Sequence, residues 1–384
     1  MTDDLLAPYD AVLLTSFGGP EGPDEVLPFL RRVTAGKDIP DERLAEVGEH
    51  YHLFGGRSPI NDQCRALQSA LTAELRRRGI ALPVLWGNRN SEPFLDDTVA
   101  QAARDGQRRL LALTTSAYSS YSSCRQYREN LADAVTSGHE AGDPVVQIDK
   151  VRPYAHHPGF SATNSRLVTE AVRGLLTEHE AGQVALVTVT HSIPDTMDET
   201  SGPGDSDGQV YRAQHEQLTA AIEDEVQATL GVELRTDLAY CSRSGPPSVP
   251  WLEPDVNDHL RELAALGVRA VAVAPIGFVS DHMEVVYDLD VEAKQTADEL
   301  GLTFVRVPTV GVAPEFVSGL VDLLEERAAE ARGEGPEARQ WPPSRPMPAV
   351  CAPGCCPNLR AARPALCGAA DEQPDWYTAA AGGA

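Results

Sequence analysis

The chain has 384 residues, enough for two domains of ordinary size, and its 42% apolar content supports a sizeable core. A formal net charge of −25 argues against nucleic acid and anionic membrane surfaces as partners. No stretch is apolar for the roughly 18 residues of a transmembrane helix, and the acidic start Met1-Thr2-Asp3-Asp4 lacks the basic and apolar regions of a secretory signal, so a cytoplasmic protein is expected.

Ala11 to Ser16 reads as an apolar strand closed by the turn Phe17-Gly18-Gly19-Pro20. Helical patterns follow over 25–33 and 60–78. A strand over 83–87, a helix over 94–105, a strand over 108–114, a helix over 123–135 and a strand over 145–151 complete the first half. The second half repeats the alternation. Strands over 183–190, 233–240, 268–274 and 303–306 are followed by helices over 209–229, 255–266, 282–300 and 314–330. Such alternation predicts an α/β protein of two Rossmann-like lobes, each a parallel sheet flanked by helices, with a cleft between them. The expected divisions are an N-terminal lobe over 1–170, a C-terminal lobe over 171–330, and a Pro/Gly-rich linker with a cysteine-rich tail over 331–384.

Several positions carry chemistry. His191 stands where the strand over 183–190 ends and Pro194 forces a loop, a place that lines the ligand crevice of an open α/β sheet. There an imidazole can accept protons or bind metal near neutral pH. Gly55-Gly56-Arg57-Ser58-Pro59-Ile60 leads into a helix that Ser58 can cap, and a helix start can also receive an anion. Neither a P-loop nor a dinucleotide fingerprint is present. The loop Ser116 to Tyr127 is polar and aromatic, with Arg125 and Tyr127 able to reach a ligand. Glu284, Asp288 and Glu292 are spaced i, i+4, i+8 on a predicted helix that follows an apolar strand directly. They read either as a solvated face or as a track for a metal ion or a proton. Asp281, His282 and Asp290 crowd the same segment. Cys351, Cys355, Cys356 and Cys367 form a C-x3-C-C-x10-C tail, which in a cytoplasmic protein points to a metal or iron–sulfur cluster before disulfides.

Five of these motifs occur in the order found in ferrochelatases, and the chain resembles that family over residues 10–325. They are the first strand with Gly18-Gly19-Pro20, the Gly55-Gly56-Arg57-Ser58-Pro59-Ile60 loop, His191-Ser192-Ile193-Pro194, and Ser242 to Leu252. The fifth is Phe278-Val279-Ser280-Asp281-His282-Met283-Glu284 continuing to Tyr287-Asp288-Leu289-Asp290. It is most similar to the actinobacterial branch, whose members make coprohaem rather than protohaem. The resemblance implies a type II chelatase-like fold and insertion of ferrous iron, as substrate, into coproporphyrin III. Protoporphyrin IX, cobalt insertion into a sirohydrochlorin-like ring and a non-catalytic porphyrin carrier are the alternatives. By the same resemblance His191 is the catalytic histidine and Glu284 the metal-handling glutamate, with Asp288 and Glu292 on an outer metal or proton track. Ser58, Tyr127, Tyr51, His50, Arg31 and Phe17 fall on porphyrin-binding positions, where Phe17 replaces a tyrosine that in some relatives ligates product iron. The partner implied downstream is a coprohaem decarboxylase. A [2Fe–2S] cluster is implied for the tail. In relatives an internal cysteine completes it just past the segment matching His156-His157, but here Ala162 stands at that place. Cys351, Cys355, Cys356 and Cys367 then suffice, or Cys124 substitutes.

Overall fold

The structure is a computed structural model and describes residues 5–36, 39–203, 207–246 and 248–381. Eight strands form two parallel sheets. The first contains β1 (Ala11–Ser16), β2 (Val84–Asn88), β3 (Arg109–Thr114) and β4 (Gln147–Lys150) in the order β2-β1-β3-β4. The second contains β5 (Val184–His191), β6 (Arg235–Cys241), β7 (Ala270–Ala274) and β8 (Thr303–Arg306) in the order β6-β5-β7-β8. The two orders are the same, so the lobes repeat one topology although their sequences show no repeat. The central strands β1, β5 and β7 are apolar runs because helices cover both faces of a parallel sheet. The expected α/β architecture of two lobes with flanking helices is therefore observed.

Two long helices absent from the sequence reading join the lobes. The helix Pro158–Leu175 runs through residue 170 and packs on the helices Val210–Leu230 and Pro314–Ala331. Besides Phe160, Val168, Val172 and Leu175, it buries the polar residues Ser161, Thr163, Asn164 and Thr169. Each side chain returns a hydrogen bond to the carbonyl four residues earlier, which satisfies its polar atoms without solvent. The second missed helix, Asp41–His52, buries only Leu44, Gly48 and Tyr51, too few residues for a strong apolar period.

The last long helix, Pro314–Ala331, also reaches back to the helix Ile60–Arg77 of the first lobe. At that junction Arg78 pairs with Asp322 at 2.7 Å and Glu325 at 3.1 Å. One apolar cluster contains Leu14, Tyr154, Leu186, Ile276 and Phe316, so the lobes share a core. Beyond Ala331 the chain is ordered coil, ending in the helix Asp375–Ala381. It lies on the first lobe through Arg125 and Arg128 to Glu372 and Arg363 to Asp133. The Ile148 N–H donates to Tyr377 Oη at 2.8 Å.

The helices Pro158–Leu175 and Pro314–Ala331 meet glycine on glycine. A Cβ at either Gly159 or Gly319 would lie 2.6 Å from the other's Cα. Overpacking such a contact costs about 1–3 kcal/mol, and alanine's better helix propensity offsets roughly 1 kcal/mol of it. Gly319→Ala should therefore lower the unfolding free energy by up to about 2 kcal/mol in urea denaturation. An equal or higher value would show that the two helices part without cost.

Candidate active site at the strand ends

In each sheet successive connections leave in opposite directions from one strand pair, β1 with β3 and β5 with β7. Crevices open at the carboxyl ends of such pairs. His191 is the last residue of β5. The chain leaving β7 passes directly over that end, where the Gly277 N–H donates to the Val189 carbonyl at 3.1 Å. A Cβ at Gly277 would collide with Thr190, so only glycine permits the passage.

The passage delivers Glu284 to His191. Glu284 Oε2 lies 3.5 Å from His191 Nε2 and 3.9 Å from His282 Nδ1. His191 Nδ1 is 2.5 Å from the Ser192 carbonyl. A carbonyl can only accept, so Nδ1 carries a hydrogen and Nε2 faces the carboxylate. Burial opposes a charge on His191, but the hydrogen bond and charge of Glu284 outweigh it and raise the pKa above the ordinary imidazole value. For His282 burial wins over Glu284, and its pKa falls. Two imidazoles beside one carboxylate thus differ in their affinity for a proton.

The segment carrying the acids begins as a short α-turn, Met283–Val285, and widens into a π-helix over Val286–Ala293. Such widened turns recur at functional sites. The five acids of this stretch divide into two groups. Arg306 donates to both oxygens of Asp281, at 3.0 and 2.9 Å, and to Asp290 at 2.8 Å, while Thr309 donates to Asp281 at 3.1 Å. Those two acids hold the segment to β8. Glu284, Asp288 and Glu292 remain on the other side and feel one another's charge. Burial, then the charges of Glu284 and Glu292, push the Asp288 carboxyl up to about 7 against a hydrogen bond from Ser242. Burial also raises Glu292, although His50 pulls it down.

The first lobe closes the other side. Tyr51, Phe29 and Met283 share an apolar cluster against which Phe17 packs. Phe17 meets Phe29 edge to face at 6.1 Å, and Phe29 meets Tyr51 at 6.0 Å. His50 stacks on Tyr287 at 3.8 Å, a contact between the lobes directly beside the carboxylates. Tyr127 is buried at the end of the first sheet, with the Arg89 guanidinium 4.8 Å above its ring and 5.3 Å from that of Phe17. Ser58 is buried against Gly19, where a Cβ would lie 2.7 Å from its own Cβ. Arg31 stands apart, half exposed and paired with Asp41 at 2.6 Å. Arg125 and Arg128 do not face this site, because both anchor the tail through Glu372. Ser242 and Tyr287 contribute contacts that sequence reading did not assign. Both lie inside matched motifs, but nothing in their spacing singles them out.

The tail differs from expectation. Cys124, Cys351, Cys355 and Cys356 form one buried cluster, whereas Cys367 turns away. Its Sγ approaches the Ile148 carbonyl at 3.3 Å and packs in the first lobe's core. The expected ligand Cys367 is thus separated from the other three, its backbone at φ +57° and its thiol in the first lobe's core. Ala162 is exposed, so a cysteine at that place would face solvent. Among the described residues no group of three or more His, Cys, Asp or Glu converges to hold a metal ion. No helix among them is long and apolar enough to cross a membrane.

A family model described as Ferrochelatase matches residues 9–328. The chain is 51% identical to a coproporphyrin III ferrochelatase of Streptomyces griseus over 94% of this chain and 97% of that one. It is 50% identical to one of Leifsonia xyli over 94% of both. SirB from Bacillus subtilis with Fe3+ aligns at a TM-score of 0.49 and 11% identity, over 84% of this chain and 97% of that one.

The Asp288 carboxyl makes a pH-dependent contribution with a definite sign. Its folded pKa of about 7 exceeds the unfolded value of roughly 3.9. Between those values the folded state holds a proton that the unfolded state lacks, so this group's contribution is lost as pH rises through about 7. Asp288→Asn removes the titration and can still accept from Ser242. Denaturant titrations at pH 5 and pH 8 should show the unmodified protein losing at least about 1 kcal/mol more than the variant. Equal losses would place the Asp288 pKa in the ordinary carboxylate range.

Proposed function

The chain belongs to the ferrochelatase family, and from that premise we propose that it inserts ferrous iron into coproporphyrin III, forming coprohaem in haem biosynthesis. The observation that carries the reading is the His191–Glu284 pair, 3.5 Å apart at the end of a central strand. A porphyrin surrenders two pyrrole protons as the metal enters, so the site needs a base at the macrocycle and an exit for protons. His191 is that base. Its Nδ1 is tied to the Ser192 carbonyl, which leaves Nε2 to take the proton. Glu284 stabilises the imidazolium that forms and offers an oxygen ligand to the incoming Fe2+, which accepts both nitrogen and oxygen donors. Asp288, poised at about 7, passes the proton outward, and Glu292 continues the path. Asp288 and Glu292 in turn guide iron on the same acidic face.

Phe17, Tyr51 and Tyr127 supply aromatic surface for the macrocycle, and Ser58 and His50 supply polar edges. Coproporphyrin III carries four propionates, so arginines must offset the protein's net charge of −25 locally. Arg31 serves this purpose, because its exposed pair with Asp41 is weak and yields to a propionate. The tail holds a [2Fe–2S] cluster. Four cysteines gathered in one buried cluster suit an all-thiolate group. When bound, such a group supplies one-electron capacity and a covalent tie between the tail and the first lobe. The setting is cytoplasmic, and a coprohaem decarboxylase consumes the product.

Purified protein given Fe2+ with coproporphyrin III or protoporphyrin IX, side by side, should form the coproporphyrin product faster. Turnover confined to Co2+ and sirohydrochlorin would reject the reading. His191→Ala should retain porphyrin binding by fluorescence quenching and lose at least about 100-fold in iron insertion. Unchanged turnover would remove His191 from the chemistry. Arg31→Ala should raise KM for coproporphyrin III about tenfold at unchanged kcat, the signature of a lost charge-assisted contact made equally in ground and transition states.

A further inference from the structure

Two buried tyrosines, one from each lobe, meet behind the crevice. Tyr118 lies in the loop after β3, and Tyr211 stands in the first turn of the helix Val210–Leu230. Their rings meet edge to face at 6.2 Å. His215 packs against both, stacked on Tyr118 at 3.6 Å and tilted to Tyr211 at 4.4 Å. Phe160, from the helix that joins the lobes, closes on Tyr118 edge to face at 6.0 Å. Rings held this closely give each hydroxyl a fixed aim.

Both hydroxyls end on backbone carbonyls of the strand ends that form the site. Tyr211 Oη donates to the His191 carbonyl at 2.9 Å. A carbonyl only accepts, so the Tyr211 hydrogen is committed there, and Thr190 donates the hydrogen in its 2.8 Å contact with Tyr211 Oη. Thr190 is also the residue on which Gly277 rests. Tyr118 Oη donates to the Ile276 carbonyl at 2.8 Å, one residue before Gly277. The first lobe thus grips the passage that delivers Glu284, while Tyr211 grips the strand end that carries His191. Tyr211 is itself tethered to the loop beyond His191. Its N–H donates to Ser201 Oγ at 2.9 Å, and the Arg212 N–H donates to Asp198 Oδ1 at 3.0 Å. Packing alone does not call for these hydroxyls, because phenylalanine fills nearly the same volume. What they add is a directed hydrogen bond to the main chain on each side of the stacked strand ends.

We propose that Tyr118 and Tyr211 are positioning residues for iron insertion, which set the spacing of His191 and Glu284 by fixing the backbone that carries each. The proposal rests on the chelatase reading above and extends it to two groups that act through the main chain.

The test uses the full chain carrying Tyr118→Phe or Tyr211→Phe, each of which keeps the ring and loses only the hydroxyl. Both variants should bind coproporphyrin III with unchanged stoichiometry and affinity by fluorescence quenching, while kcat for iron insertion falls about tenfold, because small misplacements of reacting groups cost that much or more. kcat and kcat/KM should fall together, the mark of a loss made at the reacting pair. Tyr9→Phe is the control. It removes another buried tyrosine hydroxyl, bonded to Asp149 at 2.8 Å ahead of β1, and should lower the melting temperature without changing kcat. Amide exchange followed by mass spectrometry should quicken at the end of β5 in Tyr211→Phe and in the Gly277 passage in Tyr118→Phe, and in neither place in Tyr9→Phe. Unchanged kcat in either variant would overturn the role of its tyrosine. So would a kcat loss matched by an equal loss of porphyrin-binding sites, which reports unfolded chain. Failure of the unmodified protein to insert iron would instead overturn the chelatase reading. Unaltered exchange in both variants would overturn the brace whichever way that reading falls.

Discussion

The passage of Gly277 over the end of β5 governs the geometry of the site. The backbone leaving β7 rests on Thr190 with no room for a side chain, and the Gly277 N–H is bonded to the Val189 carbonyl. The next residues are thereby aimed across the crevice rather than away from it. Glu284 reaches His191 only because these two strand ends are stacked, and Arg306 then fixes the far side of the segment through Asp281 and Asp290. A rigid support on both sides of a base and a carboxylate is what positions them before substrate arrives.

Charge is managed by partition. The chain is strongly acidic overall, yet the arginines are spent in specific places. Arg306 takes two acids out of the site, while Asp288 and Glu292 pair with no arginine or lysine among the described residues. Burial and mutual repulsion can then raise Asp288 to the neutral range, where a carboxyl exchanges protons readily. The same logic with opposite sign operates at the tail. There Arg128 and Lys150 are buried, and Arg128 shares the Glu372 carboxylate with Arg125.

Some of this was legible in the residues alone. Apolar runs such as Ala11–Ser16 and Ala270–Ala274 declare central strands of a parallel sheet, and His191 before Pro194 declares a strand end. The motif containing Glu284 is long enough to indicate the family. The helix Pro158–Leu175 was harder to read, because serine, threonine, asparagine and glycine interrupt the apolar period of Phe160, Val168, Val172 and Leu175 on its buried face. The helix Asp41–His52 escaped for the opposite reason, a face too sparsely apolar to show a period.

The order of strands and helices, the positions of His191 and Glu284, and the family follow from sequence, because local periodicity and motif spacing are properties of neighbouring residues. Tertiary structure alone decided which distant groups share an environment. It separated Asp281 and Asp290 from Asp288 by giving the first two to Arg306. It stacked His50 on Tyr287 across the lobes. It also placed Cys124 beside Cys351, Cys355 and Cys356 and packed the Cys367 thiol in the first lobe's core instead. Side-chain direction and burial depend on how separate elements pack, and no spacing along the chain encodes them.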